Sequence, residues 1–359
     1  MRILIVKLSS IGDVVHALPA AAFIKRAIPK AHISWVVERR ASEILKGSPV
    51  IDQLIEIDTT SWRKLLLDSS TRLEARARFE DLRHASGGNG AGRVDMAIDL
   101  QGLIKSAVVA RASGATRRIG FESRDLRERA SRLFLTEQIN TSDLKHVIDK
   151  NLALARAAVG AADSVANSPR YEFPISLTPD DEVFAESAIG RLQGRFAILN
   201  PGGGWPTKLW PAERFGQLAD WLLEEHKLAS IVTYGPGEEA LANEVAASSR
   251  ARSARPLAST LKQFVALARR ARLFMGGDTG PLHLAAASGT PIVGIYGPTS
   301  PERNGPFDKR DIAVGLDLWC RLNCHRRSCW HWECMDIPLS TVTEAVSARL
   351  AECDRKEQA

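Results

Sequence analysis

The stretch Gly276-Gly277-Asp278-Thr279-Gly280-Pro281-Leu282-His283 carries the strongest chemical signal in the chain. It follows a short apolar run and opens a helical pattern. The first-turn N–H groups of a helix have no partner within it. Together with the helix dipole they suit an anion such as a pyrophosphate. Gly276 and Gly277 would permit close approach, and Asp278 or Thr279 could cap the helix. The plainer reading is a turn and a cap. A further loop after the next strand, Gly297-Pro298-Thr299, weighs against it.

A second strand-to-helix loop runs from Pro201 through Gly202-Gly203-Gly204 to Pro211. Its glycines expose backbone N–H groups, and Lys208 supplies a point charge for a phosphate. Trp205 or Trp210 could stack on a base or a sugar. Core tryptophans and a solvated lysine are the plainer alternative. Gly235-Pro236-Gly237-Glu238-Glu239 ends the next strand. A carboxylate there could accept from a ribose, or simply favour a helix start.

Near the N-terminus, Ser9-Ser10-Ile11-Gly12-Asp13-Val14-Val15-His16 follows the first apolar run. Asp13 could take a proton from an attacking sugar hydroxyl. A helix N-terminus keeps a carboxylate ionised and weakly basic, so positioning must supply much of the effect. An acid that only serves the helix start is the alternative. Lys7, Ser9 and Ser10 could hold a phosphate or an acceptor, and His16 lies one turn beyond Asp13.

Four of the five cysteines, Cys320, Cys324, Cys329 and Cys334, form the pattern Cys-x3-Cys-x4-Cys-x4-Cys. Four thiolates can close a tetrahedral site around zinc or iron, with His325 and His331 as substitutes. Free thiols are the alternative. Any metal here is expected to be structural, with none required for catalysis.

These loops need elements to hold them. Strands are expected at 3–8, 33–37, 53–57, 94–100, 195–200, 229–234, 273–275 and 291–296. Helices are expected at 14–27, 65–82, 104–112, 146–159, 212–225, 238–247, 261–271, 280–287 and 340–353, with a loop at 86–92. Such alternation implies parallel sheets covered on both faces. The 162–179 stretch, rich in Ser, Pro and Asp, reads as a linker. The expected division is therefore an N-terminal domain 1–165, a linker 166–180, a C-terminal domain 181–338 and a terminal helix 339–359. In such folds ligands meet the C-terminal ends of the strands.

The chain has 359 residues and a net charge of +6. Residues 101–150 hold ten Lys/Arg against six Asp/Glu, so +4 of that charge lies there. A basic excess suits phosphate, an acidic lipid surface or nucleic acid, or is a solvated helix face. Nucleic acid is disfavoured, because only Phe121 and Phe134 supply aromatic stacking in that stretch. A nicotinamide oxidoreductase is disfavoured because no G-x-G-x-x-G follows the first strand. No apolar run approaches the ~20 residues of a membrane span. The N-terminal run stops at Lys7, short of a signal sequence. A cytoplasmic protein, peripheral on the inner face of the cytoplasmic membrane at most, is expected.

Five segments bear a family resemblance: ILIVKLSSIGDVVHALPA at the start, WVVE at 35–38, IDLQGLIKSA at 98–107, KLWPAERFGQLA at 208–219 and GGDTGPLHLAAASGTPIVGIYGPTSP at 276–301. In order, they span nearly the whole chain. The sequence resembles the ADP-heptose:lipopolysaccharide heptosyltransferases of glycosyltransferase family 9. The opening is most similar to the type I enzymes, which add the first heptose to inner-core Kdo. The resemblance implies a GT-B α/β fold, with two Rossmann-like doubly wound domains facing across a cleft. It implies metal-independent, inverting transfer from ADP-L-glycero-β-D-manno-heptose, bound by the C-terminal domain, to a Kdo-lipid A acceptor on the N-terminal domain. By the same resemblance Asp13 is the general base, Lys208 meets the diphosphate and Glu238 the ribose. Asp278, Thr279, Gly280 and His283 line the diphosphate and heptose site. Lys7, Ser9, Ser10, Gly12, Arg63 and Lys105 are the candidate acceptor or phosphate contacts.

The chain departs from the family in places. Glu239 is an alternative register for Glu238. Thr59, Thr60 and Ser61 stand where the family type has basic residues. The 86–92 loop and the cysteine segment look more like other branches. An enzyme of the same fold with another donor or acceptor, such as a protein O-heptosyltransferase, is therefore the alternative reading.

Overall fold

The N-terminal strand β1 (Arg2–Val6) is apolar and buried on both faces, as a central parallel strand must be. A computed structural model describes residues 1–59, 80, 94–160, 171–190, 192, 195–318, 320, 324, 328, 329 and 332–358. The helix expected over 65–82, apart from Glu80, and the loop 86–92 lie outside these residues. So do residues 161–170 of the expected linker. The chain forms two compact units, Met1–Ser176 and Leu177–Ala359.

In the first unit β1 is followed by α1 (Ile11–Val15), α2 (Leu18–Ala27), β2 (His32–Glu38), α3 (Arg39–Ser42) and β3 (Gln53–Ile57). Then come β4 (Met96–Asp99), α4 (Ile104–Ala112), β5 (Arg117–Phe121), a 3-10 turn at Arg129–Phe134, β6 (Glu137–Ile139) and α5 (Val147–Val159). All strand pairs are parallel, in the order β3-β2-β1-β4-β5-β6. The order reverses between β1 and β4. A ligand crevice forms at such a reversal, beyond the strand C-termini.

The second unit repeats the plan. It contains α6 (Pro179–Ile189), β7 (Phe196–Asn200), α7 (Ala212–His226), β8 (Ala229–Tyr234), α8 (Glu239–Ser248), β9 (Ala254–Ala258) and α9 (Leu261–Ala268). β10 (Leu273–Gly277), α10 (Gly280–Ala287), β11 (Ile292–Ile295), α11 (Pro301–Asn304), β12 (Ile312–Val314) and α12 (Leu339–Gln358) complete it. Its parallel order is β12-β11-β10-β7-β8-β9, with the reversal between β7 and β10. Trp210, buried at the foot of α7, stacks edge-on to Phe215 and donates its indole N–H to the Ile337 carbonyl. Val342, Val346 and Leu350 of α12 join the same core.

Several elements differ from the sequence-based expectation. The single helix expected at 14–27 is two, broken after Val15, with Pro19 in the first turn of α2. Proline suits a first turn, where its missing N–H costs nothing. The helix α6 was not expected. It is capped by Thr178, whose hydroxyl accepts from the Asp181 N–H at 3.3 Å while the Asp181 carboxylate accepts from the Thr178 N–H at 2.8 Å. Only Asp181 and Ala185 of α6 are buried, so its apolar stripe is nearly invisible in the sequence. Strands β5, β6, β9 and β12 were also unexpected. They lie at or beside the sheet edges, are short, and carry polar or exposed positions.

The loop after β4 fixes the loop after β1. The Gln101 side-chain carbonyl accepts the N–H groups of Leu8 at 3.0 Å and Ser9 at 3.2 Å. Asp99, buried at the end of β4, accepts the N–H groups of Gln101 and Gly102 and the Ser106 hydroxyl. Burial pushes the Asp99 carboxyl up to about 6, against those hydrogen bonds and the Lys7 charge. The folded chain therefore keeps a proton there that the unfolded chain releases near the ordinary carboxylate value, about 4. The stabilisation from that proton is complete below about pH 4 and is lost as pH rises through about 6. Asp99→Asn is expected to flatten this part of the profile. Thermal melting of both forms across this range checks it; an unchanged slope contradicts the assignment.

Candidate functional site

In the second unit the site is built at the ends of β7 and β10, on either side of the reversal. Asp278 leaves β10 and is buried. Its Oδ2 accepts from the Lys208 ammonium at 2.8 Å. Its Oδ1 lies 3.1 Å from His283 Nε2 and accepts from Asn304 Nδ2 at 2.6 Å. Lys208 Nζ also donates to the Asp278 carbonyl, at 2.7 Å. Burial alone would raise the Asp278 pKa. The hydrogen bond and charge of His283, then the charge and hydrogen bond of Lys208, outweigh it and hold the carboxyl well below the usual range. Asp278 is thus an anchor for three other side chains.

The helix α10 starts directly behind this anchor. Thr279 is its N-cap residue but makes no side-chain cap bond. The Thr279 hydroxyl is buried with no hydrogen-bond partner. The start of α10 therefore carries no side-chain cap. The glycines before it are closely packed. A Cβ at Gly276 would lie 2.8 Å from the Asn200 carbonyl oxygen, and one at Gly277 3.0 Å from that of Lys208. The close approach they permit is that of the protein's own β7 loop.

The tryptophans divide. Trp210 is core, whereas the half-buried Trp205 ring lies 4.9 Å from the Lys208 ammonium, a cation–π contact. Glu238 folds back over the ends of β7 and β8, where its carboxylate accepts the Gly235 N–H at 3.1 Å. A Cβ at Gly202 would overlap that carboxylate. Glu239 begins α8 and is exposed.

In the first unit Asp13 is the third residue of α1. Its Oδ2 accepts the N–H of Ser10 at 3.0 Å and the Ser10 hydroxyl at 3.2 Å. One oxygen of Asp13 therefore serves the helix start. Its Oδ1 turns outward to Arg127 Nη2 at 3.3 Å, with the buried Lys7 ammonium at 3.9 Å. Lys7 Nζ donates to the Leu100 carbonyl at 2.6 Å. Lys105 pairs with the buried Glu38 at 3.1 Å and donates to the Thr59 hydroxyl at 3.2 Å. Gly12 is buried inside α1. His16 turns away, packed edge-on to His146 at 5.7 Å between ring centroids. Arg63 lies outside the described residues.

Cys320 is exposed, Cys324 and Cys329 are half-buried and Cys334 is buried. Burial first, then the charges of Cys324, Cys320 and Cys329, push the Cys334 thiol up. Each of the other three thus lies within electrostatic reach of Cys334. Among the described residues no three His, Cys, Asp or Glu side chains are gathered closely enough to hold a metal ion; His325 and His331 lie outside those residues. A Cβ at Gly297 would lie 3.2 Å from Cys334 Sγ, so Cys334 packs against the start of the Gly297-Pro298-Thr299 loop.

Three residues of this geometry were not foreseen: Arg127 at Asp13, Asn304 at Asp278, and Gln101 beneath Ser9. None has a local motif. Each acts across a sequence separation that only the fold closes.

Comparison with known proteins follows the same lines. The chain is 29% identical over 332 residues to lipopolysaccharide heptosyltransferase 1 of Pseudomonas aeruginosa, covering 92% of this chain and 87% of that one. The structure of Escherichia coli heptosyltransferase WaaC with ADP-2-deoxy-2-fluoro heptose superposes with a TM-score of 0.72 at 25% identity, covering 100% of both chains. The iron-containing dodecameric glycosyltransferase TibC of enterotoxigenic Escherichia coli shares the fold at a TM-score of 0.54 and 13% identity, over 98% of this chain and 76% of that one. The two Rossmann-like units are thus of the GT-B class that the resemblance implied. The sequence model of glycosyltransferase family 9 (heptosyltransferase) matches residues 90–331. With two parallel sheets whose reversal points carry the Asp13 and Lys208–Asp278 clusters, this chain belongs to glycosyltransferase family 9, the heptosyltransferases.

Proposed function

We propose that this chain transfers heptose from ADP-L-glycero-β-D-manno-heptose to the Kdo of a lipopolysaccharide inner core, with inversion and with no metal in the reaction. The observation that carries the reading is the uncapped start of α10 beside the Lys208 ammonium. Backbone N–H groups and a fixed cation together suit a diphosphate leaving group. The name of the Pseudomonas relative and the ligand in the WaaC structure support heptose on that diphosphate.

Each residue then has a role. Lys208 and the Thr279–Gly280 N–H groups take up charge as the bond from the anomeric carbon to the diphosphate oxygen breaks. Asp278 positions Lys208 and His283, and His283 borders the sugar. Glu238, lying over the ends of β7 and β8, accepts from the ribose. Asp13 Oδ1 removes the acceptor hydroxyl proton as the new glycosidic C–O bond forms. Lys7, Ser9, Ser10, Gly12, Lys105, Arg63 and Arg127 serve the anionic acceptor. A lipid-anchored acceptor places the enzyme at the inner face of the cytoplasmic membrane. No helix among the described residues is long and apolar enough to cross it.

The cysteine segment serves the donor loops from below. Four thiolates are a donor set for structural zinc or iron, and binding would draw Cys320, Cys324, Cys329 and Cys334 closer together than they lie here. Metal analysis of the purified chain is expected to find zinc or iron in stoichiometric amount, lost in Cys324→Ser along with thermal stability. A metal-free wild-type chain contradicts this role.

For the reaction, Asp13→Ala is expected to lower transfer by at least about a hundredfold, the order a positioned general base supplies. ADP affinity should stay within a few-fold. Mass-spectrometric detection of the heptosylated acceptor measures the first and calorimetry the second. Retained transfer removes Asp13 from the chemistry. Turnover of UDP-sugars, with ADP-heptose left untouched, contradicts the donor.

A further inference from the structure

On the first unit, α4 and the 3-10 turn at Arg129–Phe134 pack side by side. The Ile104 N–H donates to the Glu128 carboxylate at 2.6 Å, and Ser131 is buried beneath the turn. The outward faces of both elements are unlike the rest of the surface. Ile104 is 41% exposed, Val108 38% and Leu133 77%. Val183, Leu223, Trp332 and Met1 are the other large exposed apolar side chains among the described residues, and none of these belongs to either element. Ile104 and Val108 are four residues apart and therefore share one helix face, which Arg111 continues one turn on.

Arg111, Arg129 and Arg132 are exposed on these same two elements. Among the described residues none of the three has a carboxylate partner. Glu128, the acid nearest in sequence, accepts the Ile104 N–H at the edge of this surface and keeps its charge, so three guanidinium groups stand against one carboxylate. The surface thus combines aliphatic side chains with a net positive charge and carries no exposed aromatic ring. Protein interfaces enrich aromatic anchors at their core. Aliphatic side chains ringed by arginine suit a lipid surface, where the apolar groups enter the acyl boundary and the guanidinium groups reach headgroup phosphates.

We propose that the α4 face and the Arg129–Phe134 turn form a docking surface for an anionic bilayer, through Val108, Leu133, Arg111, Arg129 and Arg132. The inference deepens the reading above, since a lipid-anchored acceptor would be met at such a surface. It explains why basic residues concentrate in the 101–150 stretch beyond those at Asp13 and Glu38.

Flotation of the full chain with vesicles lacking any lipopolysaccharide tests it. The wild type should bind phosphatidylglycerol–phosphatidylcholine vesicles, bind phosphatidylcholine alone far less, and release with added salt. Arg129→Gln with Arg132→Gln should weaken binding roughly thirtyfold, the effect of two basic residues at a charged surface. Leu133→Asp should weaken it comparably. All variants should keep the wild-type melting temperature and ADP affinity, since every altered side chain is exposed. Equal binding to neutral and anionic vesicles, or variants that bind like wild type, overturns the proposal. If vesicle binding follows this pattern but no heptose is transferred, the docking surface stands and the acceptor reading fails.

Discussion

The candidate site of the second unit depends on a buried ion pair, that of Asp278 with Lys208. A carboxylate removed from water is costly unless charges and hydrogen bonds replace the solvent. Asp278 has three such partners, and each comes from a different segment: Lys208 from the β7 loop, His283 from α10 and Asn304 from α11. The pair therefore fixes the mutual positions of three loops around the start of α10. It also makes the buried acid the support for a cation. Loss of Lys208 would leave Asp278 with His283 and Asn304 alone, and loss of the Asp278 carboxylate would leave Lys208 without its counter-charge.

The first unit solves a similar problem by different means. Its reversal point is held by Gln101 and Asp99, which bind backbone N–H groups of the neighbouring loop and of their own. Asp13 lies at the exposed edge of that framework, with one carboxylate oxygen spent on the helix start and the other turned toward Arg127. The same fold plan thus yields a cation on one unit and an oriented carboxylate on the other. The difference lies in a few residues at the ends of equivalent strands.

Much of this was legible in the sequence because central parallel strands are continuous apolar runs that end in glycine- or serine-rich loops. ILIV, MAID, FAILN and LFMGG announce themselves, and the candidate residues follow them directly. The outer strands do not. ARPLA is half exposed and carries a proline, and EQI is three residues long, so neither has a period to read. The helix α6 hides for a related reason, with only two buried positions. Gly276 and Gly277 signal close approach without saying what approaches, and only the fold shows it to be the β7 strand end and its loop. Asn304 and Arg127 were invisible because they act across the fold.

The account stands on the claim that Asp278 acts through Lys208 at the diphosphate. Calorimetric ADP affinities of Lys208→Ala, Asp278→Asn and the double variant test it most directly. A charge-assisted contact of this kind contributes on the order of 1.5–3 kcal/mol, so each single change should weaken ADP by at least about tenfold. The double variant should be little weaker than either single one, since both remove the same interaction. Wild-type affinity in Asp278→Asn, or losses that add in the double variant, would contradict it.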